Sequence, residues 1–114
     1  MDTPHLLLGR KGERLACRHL LREGFDILAR RWRGRSGELD IVAFEGDLLV
    51  FVEVKTRATD RYGAPWEFVD ARKQQALERA AAEFIAACDL GRYAYRFDIA
   101  SVTGGEVSLH RNAF

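Results

Sequence analysis

Lysine is scarce in this sequence: Lys11, Lys55 and Lys73 stand against fifteen arginines. A retained lysine therefore reflects either chance composition or a place that needs a compact ammonium with three donors. Cysteine is scarcer still. Cys17 and Cys88 lie in segments that read as helices, without metal-type spacing, which excludes a disulfide framework or a cysteine metal site. Both thiols are expected reduced, in a cytoplasmic protein. The three histidines, His5, His19 and His110, are scattered and lack zinc-ligand spacing. Serine occurs only at 36, 101 and 108, none of them in a nucleophile elbow. Gly9-x-x-Gly12 opens a helix with no strand before it, so it is not a phosphate loop. Long apolar runs are absent too: the best, Leu48 to Val54, is interrupted by Glu53 and falls far short of the roughly 20 residues of a membrane span. Met1-Asp2-Thr3-Pro4 has no basic, apolar leader, so no signal peptide is expected. Net charge is only +1 and by itself selects no partner.

What remains is 114 residues, 47% hydrophobic and 31% charged, which suits one domain over residues 1–114 with a core that needs no disulfide. Leu8 to Glu23 reads as a helix closed by Gly24, with Gly9, Ala16, Cys17 and Leu20 on one face. Phe25 to Arg33 reads as a strand, followed by the turn Gly34-Arg35-Ser36-Gly37. Glu38 to Glu45 and Leu48 to Thr56 are two more strands, and Arg57 to Pro65 is a polar loop. Asp70 is placed to cap a second helix reaching Cys88, with a stripe of Leu77, Ala80, Ala81, Phe84, Ile85 and Cys88. Tyr95 to Thr103 and Glu106 to His110 are strands divided by Gly104-Gly105. The order helix, three strands, helix, two strands predicts an α/β domain on a mixed sheet.

The central hairpin carries most of the chemistry. A two-residue turn at Gly46-Asp47 closes with Glu45 opposite Leu48, and then sets Phe44 against Leu49, Val42 against Phe51, Asp40 against Glu53 and Glu38 against Lys55. Side chains alternate, so these last four pairs share one face, apolar near the turn and charged at the far end. Leu39, Ile41 and Ala43 with Leu48, Val50, Val52 and Val54 make a wholly apolar second face for a helix to cover. Opposed Asp40 and Glu53 would have Cβ atoms about 4.5–5.5 Å apart, where like charges destabilise a sheet. A divalent cation between them, a proton held on one of them, a solvated sheet end or a bulge would each resolve this. Lys55 projects from the same face as Glu53 and can reach the same water or phosphate oxygen.

Three further features bear on the same site. Glu13 points with the core face of the first helix and needs either a metal or an arginine as partner. Lys73 and Gln74 open the second helix, either to meet an anion or to snorkel into solvent. Nine basic residues against three acids fill Arg10 to Arg35, which suits a phosphate backbone or a solvated face. Trp32, Tyr62, Trp66 and Phe68 either stack on bases or pack.

Asp40, twelve residues, then Glu53-Val54-Lys55 matches the bipartite PD-(D/E)xK nuclease signature, with Leu39 in the proline position. Gly9-Arg10-Lys11-Gly12-Glu13, Gly37-Glu38-Leu39-Asp40-Ile41-Val42, Phe51-Val52-Glu53-Val54-Lys55-Thr56-Arg57, Asp70-Ala71-Arg72-Lys73-Gln74 and Arg96-Phe97-Asp98-Ile99 together resemble the YraN-like uncharacterised protein family, whose members are similar to archaeal Holliday-junction resolvases. The resemblance implies a restriction-endonuclease-like mixed sheet, an αβββαβ core with an extra C-terminal strand. It implies a Mg²⁺- or Mn²⁺-dependent endonuclease acting on DNA, branched or single-stranded, with a homodimer as a further expectation. On that reading Asp40, Glu53, Lys55 and Glu13 are catalytic, and Asp40, Glu53, Glu13 and the Val54 carbonyl hold metal. Arg10, Lys11, Arg31, Arg33, Arg35, Arg57, Lys73 and Gln74 contact nucleic acid. The alternative is a non-catalytic nucleic-acid-binding module that keeps the fold.

Overall fold

Helix α1 runs from Pro4 to Arg22 and buries Ala16, Cys17 and Leu20 on one stripe. Its last turn carries His19 and Arg22, which suit the negative end of the helix dipole. The computed structural model describes residues 4–57 and 69–114, with side chains from residue 9 onward. The polar loop after Arg57 and three of the aromatics proposed for stacking, Tyr62, Trp66 and Phe68, lie outside the described residues.

Three strands follow, β1 (Asp26–Arg33), β2 (Glu38–Glu45) and β3 (Leu48–Arg57). Helix α2 (Ala71–Ala87) then leads to β4 (Tyr95–Thr103) and β5 (Glu106–His110). The sheet order is β1-β2-β3-β4-β5, antiparallel except for β3 and β4, which are parallel. A parallel pair needs a crossover rather than a hairpin, and α2 lies in that connection. This is the predicted order of elements and the predicted mixed sheet.

Each face of the sheet is covered by one helix. Under α1 lie Ile41, Ala43, Val50, Val52, Ala100 and Val102. Under α2, Leu77, Ala80, Ala81 and Phe84 pack on Val42, Leu49, Phe51, Phe97 and Ile99. Phe51 and Phe97 stack with ring centres 5.5 Å apart. Trp32 meets Phe84 edge-to-face at 5.3 Å, so this tryptophan packs on the core. Asp70 caps α2 as expected, its carboxylate accepting the Lys73 N–H at 2.8 Å. Cys88 departs from the predicted stripe: the helix ends at Ala87, and Cys88 is its exposed C-cap.

Two devices fix where β2 begins. Glu83 of α2 accepts the backbone N–H groups of Arg35 (2.9 Å) and Ser36 (2.8 Å), pinning the β1–β2 turn to the helix. Gly34 sits so close that a side chain there would collide with Glu83 and Trp32. β1 is an edge strand, and a register shift between Ile27 and Ala29 interrupts it. Such irregularity, with its arginines, discourages edge-to-edge pairing. No helix among the described residues is long and apolar enough to cross a membrane.

Candidate active site

Asp40 and Glu53 meet where the β2–β3 ladder breaks. Glu45 and Leu48 close the turn, Ala43 pairs with Val50 and Ile41 with Val52, as the two-residue turn predicts. In a regular antiparallel ladder every second pair is hydrogen-bonded, which would make Leu39 and Val54 the next such pair. The Val54 N–H instead donates to Asp40 Oδ2 at 2.8 Å, and strand pairing ends at Ile41 and Val52. A side-chain carboxylate has replaced a main-chain acceptor.

The cause extends across to β1. Arg30 pairs with Ile41 and Trp32 with Leu39, which sets Arg31 beside Asp40. Arg31 has φ of 50°, a conformation uncommon for any residue with a side chain. Alternation fails in both strands at this point. Ala29 and Trp32 in β1, and Val42 and Leu39 in β2, all pack on the α2 side, whereas Ile41 lies under α1. Leu39 therefore departs from its predicted face, because the break lies between it and Ile41. Glu38 departs too: it is ion-paired with Arg33 of β1 rather than set against Lys55.

The side chain of Glu53 is only 10% exposed, with Lys73 Nζ 3.7 Å and Lys55 Nζ 3.9 Å from its Oε1. Behind the two carboxylates is an apolar void of about 10 Å³ walled by Leu39, Phe51, Leu77, Phe97 and Phe114, no larger than one water. Burial on that side, and then the charge of Asp40, push Glu53 up to about 7, against the pull of Lys73 and Lys55. Asp40 is also raised, chiefly by burial, although the Val54 N–H opposes this; the charge of Glu13 adds to it. Two carboxylates this close cannot both ionise cheaply, which holds the last proton of the pair to a higher pH than a lone carboxyl would.

Glu13 reaches the edge of this cluster from α1 and is ion-paired with Arg31. An arginine is one of the two partners predicted for it. Lys73 faces the pair, whereas the Gln74 amide donates to the Val69 carbonyl at 3.1 Å and so holds the chain entering α2. Arg33, ion-paired with Glu38, and Arg35, whose N–H donates to Glu83, flank the exposed β1–β2 turn. Arg10 and Lys11 are exposed on α1, and Lys11 shares a cavity with Arg57. Asp40, Glu53, Lys55 and Lys73 thus converge, Glu13 and Arg31 adjoin them, and the remaining predicted contacts are dispersed.

Whether these residues suit a cation follows from the donor set. Among the described residues no three His, Cys, Asp or Glu side chains form a ready-made metal group. Two adjacent hard carboxylates are nevertheless what a magnesium ion commonly takes from a protein, water and substrate phosphate supplying the rest. The pair fits such an ion.

A second charged cluster had no part in the predicted site. Asp98 is fully buried in β4 and accepts from Arg96 Nε (2.8 Å) and Nη2 (3.0 Å) and from the Asn112 N–H (2.9 Å). Arg96 also donates to Glu45 (2.7 Å), which accepts from Arg111 (3.0 Å). The signal was an acid flanked by apolar residues within a strand, with an arginine two positions earlier on the same face.

A five-stranded mixed sheet between two helices, with an acid on β2 and Glu-x-Lys on β3, is compatible with a restriction-endonuclease-like α/β fold. The chain belongs to the uncharacterised protein family UPF0102, whose model matches residues 12–102. It is 43% identical over 110 residues to a UPF0102 protein of Alkaliphilus metalliredigens, covering 94% of this chain and 96% of that one. It is 45% identical over 102 residues to one from Chlorobaculum tepidum, covering 90% and 78%. To one from Stutzerimonas stutzeri it is 44% identical over 113 residues, covering 93% and 92%.

Proposed function

We propose that Asp40, Glu53 and Lys55 form the centre of a Mg²⁺- or Mn²⁺-dependent endonuclease acting on DNA, branched or single-stranded in form. The supporting observation is a carboxylate pair at a break in the sheet, Glu53 buried and Asp40 half-buried, with two lysine ammonium groups within 4 Å of a Glu53 oxygen. Asp40 and Glu53, with the Val54 carbonyl and Glu13, would hold the ion, which when bound polarises a phosphoryl oxygen as a Lewis acid. Lys55 orients the attacking water and donates to the oxygen on which negative charge grows. Lys73 approaches the phosphate from the first turn of α2. Glu13 joins the site once Arg31 leaves it for a phosphate, and Arg10, Lys11, Arg33, Arg35 and Arg57 hold the backbone on either side.

The rival reading is a nucleic-acid-binding module without catalysis, which the Glu13–Arg31 ion pair favours because it occupies one of the proposed ligands. Incubation with four-way, flap, single-stranded and duplex DNA decides between them. The proposal expects cleavage of a branched or single-stranded form in Mg²⁺ or Mn²⁺, none in EDTA, and none by Asp40→Ala. Binding of all four without cleavage in either metal establishes the rival.

A further inference from the structure

The segment after β5 is tied to the sheet at three points. The Arg111 guanidinium donates to Glu45 at 3.0 Å, the Asn112 N–H to Asp98 Oδ1 at 2.9 Å and the Ala113 N–H to the Phe97 carbonyl at 2.8 Å. Asn112 has φ of 52°, a left-handed conformation that asparagine tolerates better than most residues, and the chain turns there. These ties lay the Phe114 ring on Phe97, with centres 4.9 Å apart and planes 21° apart. Phe114 thereby becomes a wall of the apolar void of about 10 Å³ behind Asp40 and Glu53. It is itself half-buried, so its ring stands between that void and solvent.

A dry wall limits what a carboxylate can do. Asp40 Oδ2 accepts from the Val54 N–H, and the ammonium groups of Lys55 and Lys73 stand within 4 Å of Glu53 Oε1. Water in the void would donate to either carboxylate, compete with the Val54 N–H and let both side chains turn from the lysines. A cavity stays dry while it is small and apolar, and at its present size the void is at the limit for one water. Without the Phe114 ring it would open to solvent, and the two carboxylates would supply the polar partners that a water needs. An apolar shell of this kind controls solvent access to a metal site. We infer that Phe114 is a positioning residue for the carboxylate pair: its ring keeps water from the apolar side of Asp40 and Glu53 and so holds Asp40 on the Val54 N–H. The inference rests on the proposed cation site for what the pair binds, and on the void and the contacts of residues 111–114 alone for how the pair is held.

The test is amide hydrogen exchange in EDTA beside calorimetric titration with Mn²⁺, on the wild type, Phe114→Ala and Phe114→Leu. Phe114→Ala should speed exchange of the Val54 amide about tenfold, the contribution of one hydrogen bond, while the paired Ala43 and Val50 amides of the same hairpin keep their rates. Its Mn²⁺ affinity should fall about tenfold, the low end of the cost of losing a residue that supports a metal's ligands. Phe114→Leu should restore both, because an aliphatic side chain refills the space without the ring. An unchanged Val54 rate in Phe114→Ala would overturn the inference. So would faster exchange across the whole hairpin, which marks a general loss of stability. A loss as large in Phe114→Leu would overturn water exclusion as the means. Mn²⁺ bound equally tightly by the wild type and Phe114→Ala would keep the cation site and overturn the positioning. Faster Val54 exchange in Phe114→Ala, with no Mn²⁺ bound by the wild type, would remove the cation site and leave the hold of Phe114 on the pair standing.

Discussion

On the proposed nuclease reading, Lys55→Ala is expected to lower the turnover of DNA cleavage by about 10²–10³, the usual cost of deleting one group that stabilises developing charge. Affinity for DNA and the unfolding transition change little, because Lys55 is partly exposed and its contact is to Glu53 Oε1 at 3.9 Å. Lys55→Arg does not restore the rate: a planar fork cannot place three donors around a water as an ammonium does. Single-turnover cleavage beside a binding titration separates the two effects. Unchanged turnover in Lys55→Ala would pass its role to Lys73, whose ammonium is 3.7 Å from the same oxygen.

Asp98→Ala destabilises the protein by about 3–5 kcal/mol, because it leaves Arg96 without its main partner inside the fold. The side chain of Arg96 is 16% exposed and keeps only Glu45, while the Asn112 N–H loses its acceptor. The loss reaches the end of the chain, where the Ala113 N–H donates to the Phe97 carbonyl at 2.8 Å and Phe114 stacks on Phe97 with ring centres 4.9 Å apart. Asp98→Asn costs less, since its carbonyl can still accept from Asn112. Urea unfolding measures both variants; a loss under about 1 kcal/mol for Asp98→Ala would show that Arg96 and Asn112 find other partners.

The elements and their order were legible because each has its own local cause. Asp70 with its helical stripe, the Gly46-Asp47 turn and the run from Leu48 to Val54 each specify one element. The register from Ile41 to Glu45 against Leu48 to Val52 followed from the turn alone. It failed past Ile41 because the hairpin was read without its third strand. The left-handed Arg31, lying beside Asp40 in β1, accompanies a change of face that no alternation pattern within β2 encodes. Leu39 is apolar and satisfies either helix, so its residue type carries no trace of the switch. The approach of Asp40 to Glu53 was legible; its means, a side chain accepting the Val54 N–H, was not. The partner of Glu13 was open between metal and arginine because its distance from Arg31 in sequence, 18 residues, hides their contact across the sheet edge.

The central claim is that Asp40 and Glu53 are a cation site, and calorimetric titration with Mn²⁺ tests it most directly. Glu53 is pushed up to about 7, so below that pH the pair holds a proton that the ion must displace, and above it does not. For one such proton the affinity should be about tenfold tighter at pH 8 than at pH 6, with proton release detectable at the lower pH. Asp40→Ala should abolish the binding at both. Absence of heat at millimolar Mn²⁺ and pH 8, or the same isotherm from Asp40→Ala, would contradict the claim.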